Sequence, residues 1–569
     1  MVLFLTNLLG FCIFCVALLL TFHSHSWMHH AFTYLSYYII LALTITWTLT
    51  LIQFYIYKKF NALNFLQCHW KAILVSVLMT SVVFITVPKY FRVLSDETNL
   101  LSVAKSMTFN RTVENVTEGN WYYGMFWPIP TTGTEKRPFL FPFVESLTHT
   151  LLGYHIENVF ILNYFVLWVM LFLLYVIVQS SLGDLWAISS LVLVLSQPII
   201  TLSATSGSFE IFNSLFIIVS FLALRSFLKD PGHKTFILLV LTLVMLANIR
   251  YESVLFLIIT VLVVGFSGYV KTDFFSQSIA YALVPFFMLP LIWQRILLAS
   301  VSDPNLTGGS WIKAFRFENV QHNIVLFFKY IFDVSGQLGF AGVINIVGIL
   351  ALILLGIQLL IGQINLLKNG LVLLLCSLSC LIVFFLILMF YQGGINDHPL
   401  NGRLYIPILI TFSIAPVFFL ANIIKNGQKS AWVVLVCSLA VFAYYHPIAV
   451  EDRLTNNLTI IREYRFVDDF LKKNADRNTL IICGRPGQLI VSNYGAISYS
   501  TANRQVNTIL GQLNNHLFSK IFVVQSIAYG NLTPLNDNII SPLYHLESLD
   551  ELQISGSYFF RISRVKIAE

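Results

Sequence analysis

The chemistry-bearing residues of this chain fall into a few short groups. Asp96 and Glu97 are adjacent, the first acidic residues of a polar stretch that begins directly after a long apolar run. Carboxylates placed where a helix leaves a bilayer are costly to hold there and ask for a functional explanation. One of them could act as a general base on a hydroxyl or amine while the other orients it. Together they could equally hold a hard divalent cation, Mg or Mn, through oxygen ligands. A plainer reading is an amphipathic helix beginning near Asp96, its first-turn acids favoured by the helix dipole.

Further along the same polar stretch stands Thr134-Glu135-Lys136-Arg137-Pro138-Phe139, whose last two residues open the apolar PFLFPFVESL. Two cations beside a segment against the membrane suit a lipid-linked phosphate. A generic interfacial anchor is the alternative. The aromatics Trp121, Tyr122, Tyr123, Phe126 and Trp127 read mostly as an interfacial belt, with stacking on sugar faces as the second reading.

These groups are set among apolar segments. The chain has 569 residues, 57% hydrophobic and 11% charged, with mean hydropathy +0.77. Soluble domains carry about 25% charged residues, so the fold class is a polytopic α-helical membrane protein. A formal charge of +7 is small for this length and speaks against nucleic acid as a partner. The seven cysteines lie mostly in apolar runs, which argues against a disulfide framework.

About 20 apolar residues cross a bilayer as helix, and that rule predicts about thirteen spans. They lie near 2–22, 31–55, 71–88, 156–180, 185–204, 208–228, 234–248, 252–269, 277–298, 338–361, 370–391, 402–424 and 430–446. The first reads as a retained span. Short loops holding Lys58, Lys59, Lys71, Arg225, Lys229, Lys234, Lys271, Lys368, Lys425 and Lys429 are cytoplasmic under the positive-inside rule. The N-terminus is then inside and the C-terminus outside. The outer turns collect Glu210, Arg250, Glu252, Asp397, His398 and Arg403. Arg250 and Arg403 lie on the wrong side for ordinary anchoring, which marks them as anion-binding candidates. A snorkelling or helix-end charge is the competing account.

Residues 451–569 differ from the rest. They alternate helical and strand patterns, with strands at 479–484, 520–525 and 558–566, and read as a small α/β extracytoplasmic domain. The division expected is thus two extra N-terminal helices (1–70), a membrane core (71–450) with its first outer loop at 89–155, and this terminal domain.

The order of Ser95-Asp96-Glu97 after a span, a Lys136-Arg137-Pro138-Phe139 element, many further spans and the Asn248-Ile249-Arg250-Tyr251-Glu252-Ser253 turn resembles the GT-C superfamily of integral membrane glycosyltransferases. The likeness covers about residues 71–450 and leans toward the protein-O-mannosyltransferase-like and aminoarabinose-transferase-like branches. It implies transfer of a sugar from a polyprenyl-phosphate donor to an extracytoplasmic glycolipid, glycan or protein, with inversion. By carry-over, Asp96 is the catalytic carboxylate, supported by Glu97. Lys136 corresponds to a carrier-phosphate contact, with Arg137 intervening where the aminoarabinose branch has proline. Arg250 and Arg403 join the phosphate site from sidedness, with Glu210, Glu252, Asp397 and His398 as supporting polar residues. The expected setting is a bacterial inner membrane with a periplasmic C-terminus, surrounded by membrane lipids. The alternative is a transporter, flippase or polymerase of lipid-linked saccharides. Transporters usually place ionisable groups near the midplane, whereas here the span centres are almost free of charge.

Overall fold

The computed structural model describes residues 24–59, 61–129, 135–266, 280–300, 316–361, 387–391, 399–424, 427–530, 532–535, 538–554 and 557–566, with isolated positions at 16, 19, 382, 383 and 385. These residues form two compact units.

The first unit comprises Met1–Tyr90, Lys136–Phe143 and Val159–Leu454 and is helical. Among the described residues, six helices are long and apolar enough to cross a membrane: Ser26–Tyr57, Ala62–Thr86, Asn158–Leu182, Glu210–Lys229, Leu400–Ile423 and Gln428–Val450. Shorter apolar helices occupy His233–Ala247, Tyr251–Thr260, Leu283–Leu298 and Gly342–Gln358. The protein is a polytopic membrane protein whose helices coincide with the predicted apolar runs. The expected spans at 2–22 and most of 370–391 lie outside the described residues.

One predicted span is not straight. Residues 185–204 form two helices, Asp184–Leu195 and Pro198–Ala204, bent by 80°. Pro198 cannot donate an amide to the preceding turn, and Gln197 fills the break. Its Nε2 donates to Asn345 Oδ1 at 2.8 Å, and its Oε1 accepts from the Ala341 amide at 2.9 Å. A buried polar side chain is affordable here because both its ends are bonded. Elsewhere small residues set the packing distance. A methyl group on Gly348 would collide with the backbone of Phe412, so the two helices meet there at backbone range.

Charge sorts to the two ends of this unit. The Glu210–Lys229 helix is about 30 Å long at 1.5 Å per residue. At its start Glu210 Oε1 meets Arg403 Nε at 2.8 Å. Just past its end Asp230 meets Lys58 at 2.6 Å. Lys71 pairs with Asp184 at 2.9 Å, and Lys234 lies 4.9 Å over the Tyr57 ring. Lys58 and Lys234, two of the lysines predicted for one set of loops, thus gather around Tyr57, an apolar helix length from Glu210 and Arg403.

The second unit comprises Phe91–Glu135, Val144–Asn158 and Thr455–Glu569. Its seven strands are β1 Gly119–Tyr122, β2 Met125–Pro128, β3 Thr479–Ile482, β4 Gly495–Ile497, β5 Lys520–Ala528, β6 His545–Gln553 and β7 Tyr558–Lys566. Their order is β2-β1-β4-β3-β5-β7-β6, with β3 parallel to β4 and β5 and the other pairs antiparallel. Alternation along the strands builds two cores. Leu480, Ile482 and Val523 face Tyr499, Ile509 and Phe518. Ile481, Phe522 and Val524 face Val467, Leu471 and Leu489. The hairpin β1–β2 comes from the first outer loop, so part of the expected aromatic belt is sheet. Trp121 Nε1 donates to the Asn493 carbonyl, and the Tyr122 hydroxyl to Gln512 Oε1.

Candidate functional site

Two sequence motifs more than a hundred residues apart are stitched together within the helical unit. The Lys136–Phe139 segment enters the Leu140–Leu152 helix, whose first amide, Leu140 N, donates to the Asn248 carbonyl at 3.0 Å. Asn248 caps the His233–Ala247 helix and donates from its side chain to the Val244 and Phe287 carbonyls. From the Ala280–Ser300 helix, Gln294 Nε2 donates to the Arg137 carbonyl at 2.8 Å, and Arg295 Nη2 donates to the Lys136 carbonyl. The Arg295 guanidinium also lies 4.0 Å from the centre of the Tyr251 ring. The cation pair and the Arg250 turn therefore share one scaffold.

Arg250 is 7% exposed. It grips Glu252 through two hydrogen bonds of 3.2 Å, from Nε and Nη2, and lies over the Phe209 ring. Burial would drive both groups toward neutrality, and their mutual attraction outweighs it. Burial works against the Arg250 charge, but Glu252 and then Glu210 push its pKa up. Burial likewise favours protonated Glu252, but Arg250 holds it below the usual carboxylate value. Arg403 is bound to Glu210, with side chains 11% and 3% exposed. Arg250 and Arg403, expected as anion ligands, are thus each held by a carboxylate, and Glu210 and Glu252 are those carboxylates. Arg137 and Arg250 both act on the Tyr391 hydroxyl, and Arg295 acts on Glu252. Five cations, Lys136, Arg137, Arg250, Arg295 and Arg403, stand with three carboxylates, Glu210, Glu252 and the buried Glu135 that adjoins Lys136 in sequence. Asp397 and His398 lie outside the described residues.

Asp96 and Glu97 belong to the second unit and open the Leu94–Phe109 helix. They divide two roles. Glu97 is 1% exposed, and its Oε2 accepts from the backbone amides of Arg92 at 2.7 Å and Val93 at 3.2 Å. It thereby fixes the chain's entry into the helix. Arg92, also buried, has its pKa pulled down to about 9 by burial, with Glu97 opposing and Arg465 assisting that fall. Asp96 is half-buried in the first turn, where the helix dipole favours its charge. Of the two Glu97 oxygens, Oε2 is the one that serves the backbone amides. Among the described residues no group of three or more His, Cys, Asp or Glu converges as a metal site.

Sequence reading missed Gln294, Arg295 and a buried cluster in the second unit. The signal for the first two was present: Gln294-Arg295 is a polar pair inside an apolar run. The cluster joins Glu145, His149, Tyr154, Asn158 and Lys105. Asn158 Nδ2 donates to the Gly153 carbonyl at 2.7 Å and lies 3.0 Å from His149 Nδ1. That assigns the imidazole proton to Nε2, which approaches Glu145 Oε1 at 3.3 Å without hydrogen-bond alignment. Burial pushes the Glu145 carboxyl up to about 8. Burial, then His155 and Lys105, push His149 down to about 4. Both shifts work against an ion pair at this contact. Lys105 donates to the Ile490 carbonyl at 2.8 Å, and burial lowers it to about 7.

The bundle of long apolar helices and the mixed-sheet unit together have the fold of a known integral membrane protein. Two solved structures of one protein share it. ArnT from Cupriavidus metallidurans bound to undecaprenyl phosphate superimposes with TM-score 0.50 and 8% identity, covering 86% of this chain and 97% of that one. The apo state gives 0.51 and 8%, covering 87% and 98%. The Archaeoglobus fulgidus oligosaccharyltransferase, solved with zinc and sulfate, has TM-score 0.46 and 10% identity over 80% of this chain and 67% of that one, too loose a likeness to carry weight. No protein-family profile and no curated sequence matches the chain.

Proposed function

We propose that this protein is a membrane glycosyltransferase that moves a sugar from a polyprenyl-phosphate donor to an acceptor on the extracytoplasmic face. The observation that carries the reading is the cation-rich end of the helical unit. There Gln294 and Arg295 hold the carbonyls of Arg137 and Lys136, and Arg295 stacks on Tyr251 of the Arg250 turn, in a fold shared with a protein solved holding undecaprenyl phosphate. In the reaction the acceptor oxygen or nitrogen attacks the anomeric carbon while the bond to the carrier phosphate breaks, and the phosphate leaves with the electron pair. Lys136, Arg137 and Arg250, with Arg403 behind them, stabilise that growing charge. Asp96 takes the acceptor's proton, and Glu97 holds the helix that presents it.

For a divalent cation, Asp96 and Glu97 are the oxygen ligands in this reading, and assay after exhaustive chelation tests whether transfer needs one. The setting that suits this chemistry is the bacterial inner membrane, N-terminus cytoplasmic and C-terminus periplasmic. The test is lipid and glycan profiling of a strain lacking the gene. The expected result is accumulation of one sugar-charged polyprenyl phosphate together with loss of one envelope decoration. Unchanged pools of every carrier-linked sugar would overturn the reading.

A further inference from the structure

We propose that Gln294 and Arg295 are positioning residues, which fix the backbone of the Lys136-Arg137 pair so that its side chains meet a phosphate pre-aligned. The inference rests on the donor-phosphate reading above and adds to it the device that builds the cation pair.

Cations borne on a loop lose affinity to the disorder of the backbone that carries them; a loop held in its bound conformation avoids that cost. The Lys136-Arg137 segment runs directly into a proline. Pro138 has no amide to donate and confines Arg137 to extended backbone. Its carbonyls are thus the natural handles, and both are taken by consecutive residues of one helix. Gln294, fully buried, donates to the Arg137 carbonyl at 2.8 Å. Arg295 donates from Nη2 to the Lys136 carbonyl while its guanidinium face stacks on Tyr251, 4.0 Å from the ring centre. Tyr251 lies between Arg250 and Glu252, so Arg295 touches the cation segment and the Arg250 turn at once. A planar fork that bonds at its edge and stacks on its face is specific to arginine; lysine supplies the charge without either geometry.

The assay is binding of undecaprenyl phosphate to the purified full-length protein, with thermal stability recorded for each variant. Gln294→Met keeps length and volume while removing the donor, and Arg295→Lys keeps the charge while removing the fork. Each is expected to weaken binding about tenfold. Arg295→Lys should bind as weakly as Arg295→Gln. In an Arg137→Ala background Gln294→Met should add little, since its effect runs through Arg137. Additive losses would overturn the proposal, as would Arg295→Lys binding like wild type while Arg295→Gln does not, because Arg295 would then supply charge and not position. Wild-type binding by both Lys136→Ala and Arg137→Ala would be a different failure, sinking the phosphate role of the cations and this inference with it.

Discussion

Glu210 Oε1 and Arg403 Nε stand 2.8 Å apart, joining the start of one spanning helix to the turn that leads into another. Both side chains are largely buried, so removing one partner leaves an uncompensated charge, at a cost of about 3–5 kcal/mol. Glu210→Gln should therefore melt well below the wild type in detergent. A Glu210→Met, Arg403→Met double variant should recover most of that loss. Equal melting temperatures for wild type and Glu210→Gln would show the pair to be inconsequential.

Arg250 presents the same arrangement with a functional consequence. Its two hydrogen bonds to Glu252 compete with any phosphate that recruits it. Arg250→Ala should raise the apparent KM for the carrier donor at least tenfold. Glu252→Gln should bind undecaprenyl phosphate more tightly than wild type while lowering thermal stability. Looser binding by Glu252→Gln would show that Glu252 orients Arg250 for the phosphate and does not restrain it.

The neighbouring carboxylates of the Leu94–Phe109 helix should separate cleanly by mutation. Asp96→Asn should lower kcat by about 10²–10⁴, the usual range for a general base, with protein level and melting temperature unchanged. Glu97→Gln should instead destabilise, since its Oε2 serves two backbone amides. Near-normal turnover by Asp96→Asn would remove it from the chemistry.

Much of this was legible in sequence, for a physical reason. Apolar runs of membrane length must be helices, because no other open segment satisfies its backbone in lipid. The runs at 208–228 and 402–424 accordingly appear as the Glu210–Lys229 and Leu400–Ile423 helices. Two features escaped. The bend at Gln197-Pro198 depends on Asn345, a partner distant in sequence. The hairpin β1–β2 pairs with β4 through Gly119 and Ala496, a non-local register that no local pattern reports. At the candidate site, residue types put forward Lys136, Arg137 and Arg250 as phosphate ligands. That Arg250 and Arg403 are each held by a carboxylate is invisible in sequence, because Arg403 and Glu210 are distant positions that only the packing of two helices joins.

The buried Glu145 predicts a pH signature of stability. Burial raises its carboxyl from 4.5 to about 8, so the folded state keeps a proton that the unfolded chain releases. Stability from this group is full below about pH 4.5 and falls as pH rises toward 8. His149, lowered from 6.5 to about 4, acts oppositely below 6.5. Lys105, lowered from 10.5 to about 7, adds stability as pH climbs above 7. Comparison with Glu145→Gln isolates the carboxyl. The melting temperature of that variant, relative to wild type, should rise by several degrees between pH 6 and pH 8. A constant difference would mean Glu145 does not titrate in that window.

Binding of undecaprenyl phosphate to the purified protein, set beside a Lys136→Ala, Arg137→Ala double variant and with undecaprenol as the uncharged control, tests the phosphate-binding end of the helical unit most directly. The expected result is saturable binding by wild type, weakened more than tenfold both in the variant and with the alcohol. Equal affinity of wild type and variant for the phosphate, or of wild type for phosphate and alcohol, would contradict it.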